Sequence, residues 1–242
     1  MTKLGIIGAM DVEIAALKEH LEDPTATTRA GMEFCEGILE GLPVVVARCG
    51  VGKVNAGLCV QILCDCFGIT HVVNTGVAGS LCAELDIGDL VVGLDAMYHD
   101  VDCHSLKYPM GMVPGLPVTF PADETLLAYA FAAGEQVHPG HVKIGRVASG
   151  DQFICSGEQK KQIIADTHAL CTEMEGTAIA QAAYVNAIPY AIIRAISDKA
   201  DDSAKVDYHT FEEAAAHHCA GVTMAMARHI KEAEDAEAAA NG

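Results

Sequence analysis

Four carboxylates in this chain stand beside glycine-bearing turns or at the ends of apolar runs. Glu13 lies one turn into an amphipathic stretch that follows Gly8-Ala9-Met10. Asp198 closes the hydrophobic run Ala191–Ser197, at the point where α/β sheets bind ligands. Burial there would disfavour the carboxylate and leave a neutral acid able to donate a proton near neutral pH. Glu173 and Glu175 flank Met174 inside Thr172–Thr177, a segment that reads as a helix-capping sequence. Each of the helix-start carboxylates has a plainer role open to it, complementing the helix dipole.

Other polar groups offer less. Gly8-Ala9-Met10 and Asn74–Ser80 are glycine-rich junctions where backbone N–H groups can approach a ligand, but neither has a dinucleotide or phosphate-loop spacing. Tyr98–His104 carries two His and two Asp without a zinc pattern, and reads as a polar loop. His217-His218 reads as a solvated helical pair, and no nucleophile elbow is present. These residues predict no metal.

The elements that must hold these groups alternate. Apolar runs at 4–7, 44–47, 71–73, 90–92, 142–144 and 190–193 predict strands. Between them, Ile14, Leu17 and Leu21 predict one buried helix face, Val54, Leu58, Ile62 and Leu63 a second, and Ala178, Ala182 and Val185 a third. Strand alternating with helix implies an α/β fold with βαβ units. The chain of 242 residues shows no break marking a second domain, so residues 1–232 are expected as one domain and 233–242 as an acidic tail that extends the final helix or frays. The stretch from His99 to Phe120 carries Pro109, Pro114 and Pro117 with little periodicity, and such a loop is commonly functional or interfacial.

Composition narrows the partners. A net charge of -18 repels phosphate backbones and anionic lipid, so neither nucleic acid nor membrane is expected. No apolar run is long enough for a signal or span, and the ten Cys include no CxxC pair. Reduced core thiols in a cytoplasmic protein are expected.

Taken together, seven segments carry a resemblance: Gly5–Glu13 (GIIGAMDVE), Cys49–Ala56 (CGVGKVNA), Asn74–Gly79 (NTGVAG), Tyr98–Asp102 (YHDVD), Ser149–Ile154 (SGDQFI), Glu173–Glu175 (EME) and Arg194–Asp198 (RAISD). In this order they closely resemble the bacterial methylthioadenosine/S-adenosylhomocysteine nucleosidases of the purine nucleoside phosphorylase superfamily, over about Lys3 to His229. The resemblance implies a three-layer αβα sandwich with a central twisted mixed β-sheet, a homodimer and no cofactor. It also implies a small adenine nucleoside as substrate.

It further implies roles. Asp198 would protonate adenine N7 and Glu13 would activate the attacking water, the two catalytic positions. Glu175 would bind the ribose hydroxyls beside the Met174 backbone. Phe153 would stack on adenine, and the Ile154 backbone would read its amino edge. Gly79 would line the floor, with Val77 and Ser197 also among the binding positions. Met10, Tyr208 and the partner subunit's Leu106 and Pro114 would line the alkylthio pocket. Val77 stands where the family often has Ser, and Leu106 where an aromatic is frequent, so a ribose-side hydrogen bond and the thioalkyl pocket are expected to differ. Three alternatives remain open: aminodeoxyfutalosine hydrolysis, a phosphate-dependent phosphorylase, and a non-enzymatic storage protein. An acidic residue where phosphate would sit argues against the phosphorylase.

Overall fold

The computed structural model describes residues 2–241. Its elements begin with β1 (Leu4–Gly8), α1 (Asp11–Glu19), β2 (Glu22–Arg29), β3 (Met32–Leu39), β4 (Leu42–Arg48), α2 (Lys53–Phe67), β5 (His71–Ser80) and β6 (Leu90–Tyr98). After a single 3-10 turn at His104–Leu106 come β7 (Phe120–Pro121), α3 (Glu124–Val137), β8 (Val142–Ser149) and α4 (Gly157–Thr167). β9 (Cys171–Glu173), α5 (Gly176–Val185), β10 (Tyr190–Asp198) and α6 (Ala204–Asn241) complete the chain.

The fold is mixed α/β. One sheet runs β2-β3-β4-β1-β5 and continues through β9, β8, β6 and β10, which pairs back onto β5. Parallel pairs (β1–β4, β1–β5, β10–β5, β6–β8) coexist with antiparallel ones (β3–β4, β10–β6, β5–β9). The sandwich expected from the sequence is therefore present with an addition, because half of the sheet closes on itself.

The apolar runs are continuous because both sheet faces are covered. Leu4, Ile6, Val44, Val46, Val73, Leu90, Val92 and Ile193 join one core with α1, α3 and α6. Ile7, Val45, Ala47, Val72, Val91 and Ile192 point the other way, into a second core with α2 and α5. Alternation along each strand thus supplies two helical layers from one sheet.

Several expectations need correction. Ile14, Leu17 and Leu21 are buried, but α2 buries Ala56, Cys59, Val60, Leu63 and Phe67, and leaves Val54 (74% exposed) and Leu58 outside. Val185 on α5 is likewise exposed. The second and third helix faces read from the sequence therefore mixed a core stripe with a surface one. Asn74–Ser80 is no junction but the second half of strand β5. The hairpin β2–β3 was not legible, because β2 is polar and exposed along most of its length. The acidic end extends α6 as helix to Asn241, one of the two forms the sequence allows it. All ten Cys are free, but only five are buried, and Cys66 is exposed. No helix among the described residues is long and apolar enough to cross a membrane.

Candidate active site

The C-terminal ends of β1, β5, β8, β9 and β10 converge on one cavity. Its walls include Met10 and Glu13 from the start of α1, Val77 and Gly79 from β5, and Phe153 from the segment after β8. Met174 and Glu175 follow β9, Ser197 and Asp198 end β10, and Tyr208 comes from α6. Ile154 lines a smaller cavity that shares Gly79, Phe153, Met174 and Asp198 with this one. Eleven of the expected positions are thus gathered in one place. Leu106 and Pro114 are not. Both lie exposed on the loop between β6 and β7, away from the cavity of their own chain.

Glycine explains how β5 can pass under two carboxyls. A Cβ on Gly76 would lie 2.2 Å from Glu13 Oε1, and one on Gly79 would lie 2.8 Å from Asp198 Oδ1. Any side chain at either position would evict a carboxyl.

Glu13 is buried, and its Oε2 accepts hydrogen bonds from Ala9 N (2.7 Å) and Met10 N (3.0 Å), while Oε1 accepts from Val77 N (3.0 Å). It therefore caps its own helix and faces the cavity at once. Burial pushes its carboxyl above the usual range, against the opposing charge of Arg194 and these N–H donors. Position 77 contributes through its backbone, so valine there keeps the hold on Glu13.

Asp198 is 2% exposed; Oδ2 accepts from Ser197 Oγ (2.9 Å) and Oδ1 from Ala200 N (2.8 Å). Burial pushes its pKa above the usual carboxylate value in spite of those two donors. With no cation among its partners, the protonated form is favoured, as a general acid requires.

The structure separates the roles of Glu173 and Glu175. Glu173 does the capping: Oε2 accepts from Gly176 N (2.7 Å) and Glu175 N (3.2 Å) and pairs with Arg194, while Oε1 pairs with Ser149 Oγ. Burial alone would raise Glu173, but the Arg194 charge and the hydrogen bonds from Ser149, Arg194 and Gly176 together outweigh it and hold this carboxylate below the usual range. Glu175 instead crosses to Gly52 N (2.6 Å) ahead of α2, and burial followed by the Glu173 charge pushes it up to about 8.

Sequence reasoning missed Arg194 as a functional group. It is the one cation among the described residues that is fully buried, and it bonds Glu173 and Asn74 beneath the cavity floor. An arginine in the middle of an apolar strand is the signal that could have found it, because such a residue is fully buried almost only when paired. The Tyr98–His104 cluster disperses as a polar loop: Asp100 pairs with Lys53 and His104 with Asp102. His217-His218 is not a solvated pair, since His218 turns inward to the His138 ring at 5.4 Å.

Comparison with known proteins agrees with this geometry. A family model for the phosphorylase superfamily matches residues 3–228. The 5'-methylthioadenosine/S-adenosylhomocysteine nucleosidase of Shewanella halifaxensis is 38% identical over 232 residues, covering 94% of this chain and 100% of its own. The nucleosidase of the same description from Neisseria meningitidis, solved with methylthio-immucillin-A, superposes with a TM-score of 0.91 at 35% identity and covers 94% of this chain and 99% of that one. The futalosine hydrolase of Helicobacter pylori superposes with a TM-score of 0.89 at 33% identity, covering 93% of this chain and 97% of its own.

Proposed function

The chain belongs to the phosphorylase superfamily and, within it, to the 5'-methylthioadenosine/S-adenosylhomocysteine nucleosidases, and on that premise we propose that it hydrolyses the N-glycosidic bond of those two nucleosides. Adenine and a thio-ribose leave, and 5'-deoxyadenosine is accepted as well. The observation that carries this reading is one cavity holding two unlike buried carboxyls. Asp198 has no cation partner and favours its proton, while Glu13 is gripped by three backbone N–H groups.

Asp198 gives its proton to adenine N7, so the base leaves neutral. Glu13 accepts a proton from water as its oxygen bonds to the anomeric carbon. Glu175 bonds the ribose hydroxyls, and the ionised form of Glu13, which its three N–H donors and the Arg194 charge favour, steadies the positive charge that develops on the sugar. Phe153, more than a third exposed at the mouth, is placed to stack on the base, and Met10 and Tyr208 meet at the 5' end, where the Tyr208 hydroxyl lies 3.1 Å from Met10 Sδ.

The same electrostatics disfavour phosphorolysis. Arg194 is the fully buried cation near the cavity, and Glu173 and Asn74 already engage it. A phosphate in place of water would meet Glu13 with no free cation to receive it. Adenine release from 5'-methylthioadenosine, measured with and without phosphate, tests the reading. Release that is independent of phosphate is expected, and release that requires phosphate would overturn it.

The likeness to a futalosine hydrolase supports a second substrate class with the same adenine and ribose contacts and a different 5' group. Turnover on a panel of 5'-substituted adenosines separates the two.

We also propose a homodimer in the cytoplasm, with neither nucleic acid nor membrane as partner. Val51, Val54, Leu58, Tyr184, Val185 and Leu106 leave large apolar area outside, an uncommon cost for a monomer. A groove lined by Lys53, Val54, Tyr98, Val113 and Ala182 lies between α2, α5 and the β6–β7 loop. A two-fold contact there would bring the partner subunit's Leu106 and Pro114 to the alkylthio end. Ten unpaired Cys suit a reducing compartment. Sedimentation should give a dimer, and Leu106→Ala should raise KM for alkylthio substrates more than for adenosine. A fully active monomer would overturn the assembly.

A further inference from the structure

Away from the cavity, three side chains from separate parts of the sequence meet at the opposite end of β6. Asp89 precedes that strand, His138 follows α3, and His141 precedes β8. One ligand atom from each lies within 4.8 Å of the others. His141 Nδ1 is 2.8 Å from Asp89 Oδ1, and the His138 and His141 rings stack at 4.2 Å. His218 of α6 stands next to them, its ring 5.4 Å from that of His138, and its buried Nδ1 has no hydrogen-bond partner.

Three imidazoles packed together are awkward without a ligand. Imidazolium rings stacked this closely would repel one another, so the cluster is easiest to hold with its rings neutral. Neutral imidazole is the form that binds a metal.

We propose that Asp89, His138 and His141, with His218 as the fourth donor, bind one divalent transition-metal ion of the zinc class. Two or three imidazoles and one carboxylate make a nitrogen–oxygen set that suits zinc rather than calcium or magnesium. Tetrahedral bonds of about 2.0–2.1 Å require ligand atoms about 3.4 Å apart, so the group must contract from its present spacing. Side-chain rotation can supply this, because His141 is 54% exposed and open to solvent on one side. The ion would also tie α6 to the start of β6, where Asp89 O accepts from Ile196 N (2.8 Å), two residues before Asp198.

The test uses the full chain without a histidine tag, stripped of metal by chelation. Zinc titrated in competition with a chromophoric chelator should give one tight equivalent, and cobalt should give a tetrahedral absorption spectrum. His138→Ala with His141→Ala should weaken zinc binding at least about tenfold and abolish the cobalt spectrum. His141→Gln alone, at the more exposed position, should weaken binding in the same direction should the double variant fold poorly. Adenine release in metal-free buffer reports that each variant is folded. Zinc should raise Tm in the wild type and not in the variants. Absence of a stoichiometric site overturns the proposal. So does binding that survives the double substitution, which would place the metal on cysteines or on His217 and His229 instead.

Discussion

Beneath the cavity floor and along its rim, the same residue type is buried to the same degree and behaves in opposite ways. Under the floor, Glu173 and Arg194 neutralise one another, with Asn74 and Ser149 completing their hydrogen bonds. At the rim, Glu13, Glu175 and Asp198 meet backbone N–H groups or a hydroxyl and no direct cation. Burial pushes every one of these carboxyls towards its neutral form, and only at Glu173 do the Arg194 charge and the hydrogen bonds from Ser149, Arg194 and Gly176 together overcome it. The floor is a fixed charge pair, and the rim is a set of groups that can exchange protons. A site that must move a proton at one edge and hold a sugar cation at another needs both.

The largest effect should come from the rim. Asp198→Asn keeps shape and volume and removes the transferable proton, so adenine release should fall by about 10²–10⁴-fold. Tm should hold within a few degrees, because no ion pair is broken. A variant within a few-fold of wild type would remove Asp198 from the chemistry.

The floor should fail differently. Glu173→Gln leaves Arg194 without its partner and turns an amide towards Ser149. Breaking a buried pair on one side costs about 3–5 kcal/mol. For a chain of this length that lowers Tm by on the order of 10 °C. Thermal unfolding checks it, and an unchanged Tm would mean that Asn74 and Glu13 suffice to hold the guanidinium.

The third difference appears in pH. The folded state holds Glu175 at about 8, well above the ordinary carboxylate value of 4.5. Between those values the native state binds more protons than the unfolded one, so stability falls as pH rises through that window and levels off above about 8. Glu13 and Asp198 are shifted in the same direction and steepen the decline. Tm of the ligand-free protein should therefore drop by several degrees between pH 5.5 and 8.5. Glu175→Gln carries no proton to lose and should make the slope shallower. An identical slope in both proteins would assign the raised value to the wrong carboxyl.

How much of this was legible in the sequence follows from the same contrast. Asp198 could be picked out because a carboxylate at the end of an apolar run is locally conspicuous, whereas Glu13 and Glu175 read equally as helix-start carboxylates and took their roles from the family resemblance. Assigning Glu173 to the floor and Glu175 to the rim could not be done locally, since the two differ only in what they meet across the fold: Arg194 for one, Gly52 for the other. The faces of α2 failed for a related reason. Val54 and Leu58 are as apolar as Val60 and Leu63, and periodicity cannot distinguish a stripe that faces the sheet from one left outside. His218 looked solvated because its neighbours, His138 and His141, lie some eighty residues away in sequence. Asn74–Ser80 read as a loop because glycine is rare inside strands, and only the carboxyls lying over it explain why it is tolerated here.

The smallest effect tests how the rim sets its proton. Ser197 Oγ donates to Asp198 Oδ2 at 2.9 Å, a bond that favours the ionised form and so opposes the pull of burial. Ser197→Ala removes the donor and should raise the Asp198 value further. A net hydrogen bond of about 0.5–1.5 kcal/mol corresponds to about 0.4–1 pH unit. The loss of kcat/KM at alkaline pH reports deprotonation of the acid in the free enzyme, so that limb should move to higher pH by this amount. The family resemblance implies that Ser197 is among the substrate-binding positions, which gives the measurement a second outcome. A serine that touches the nucleoside would raise KM across the whole pH range and leave the limb in place. A shifted limb with KM nearly constant makes Ser197 a positioning residue for Asp198, and a raised KM with a fixed limb returns it to the substrate.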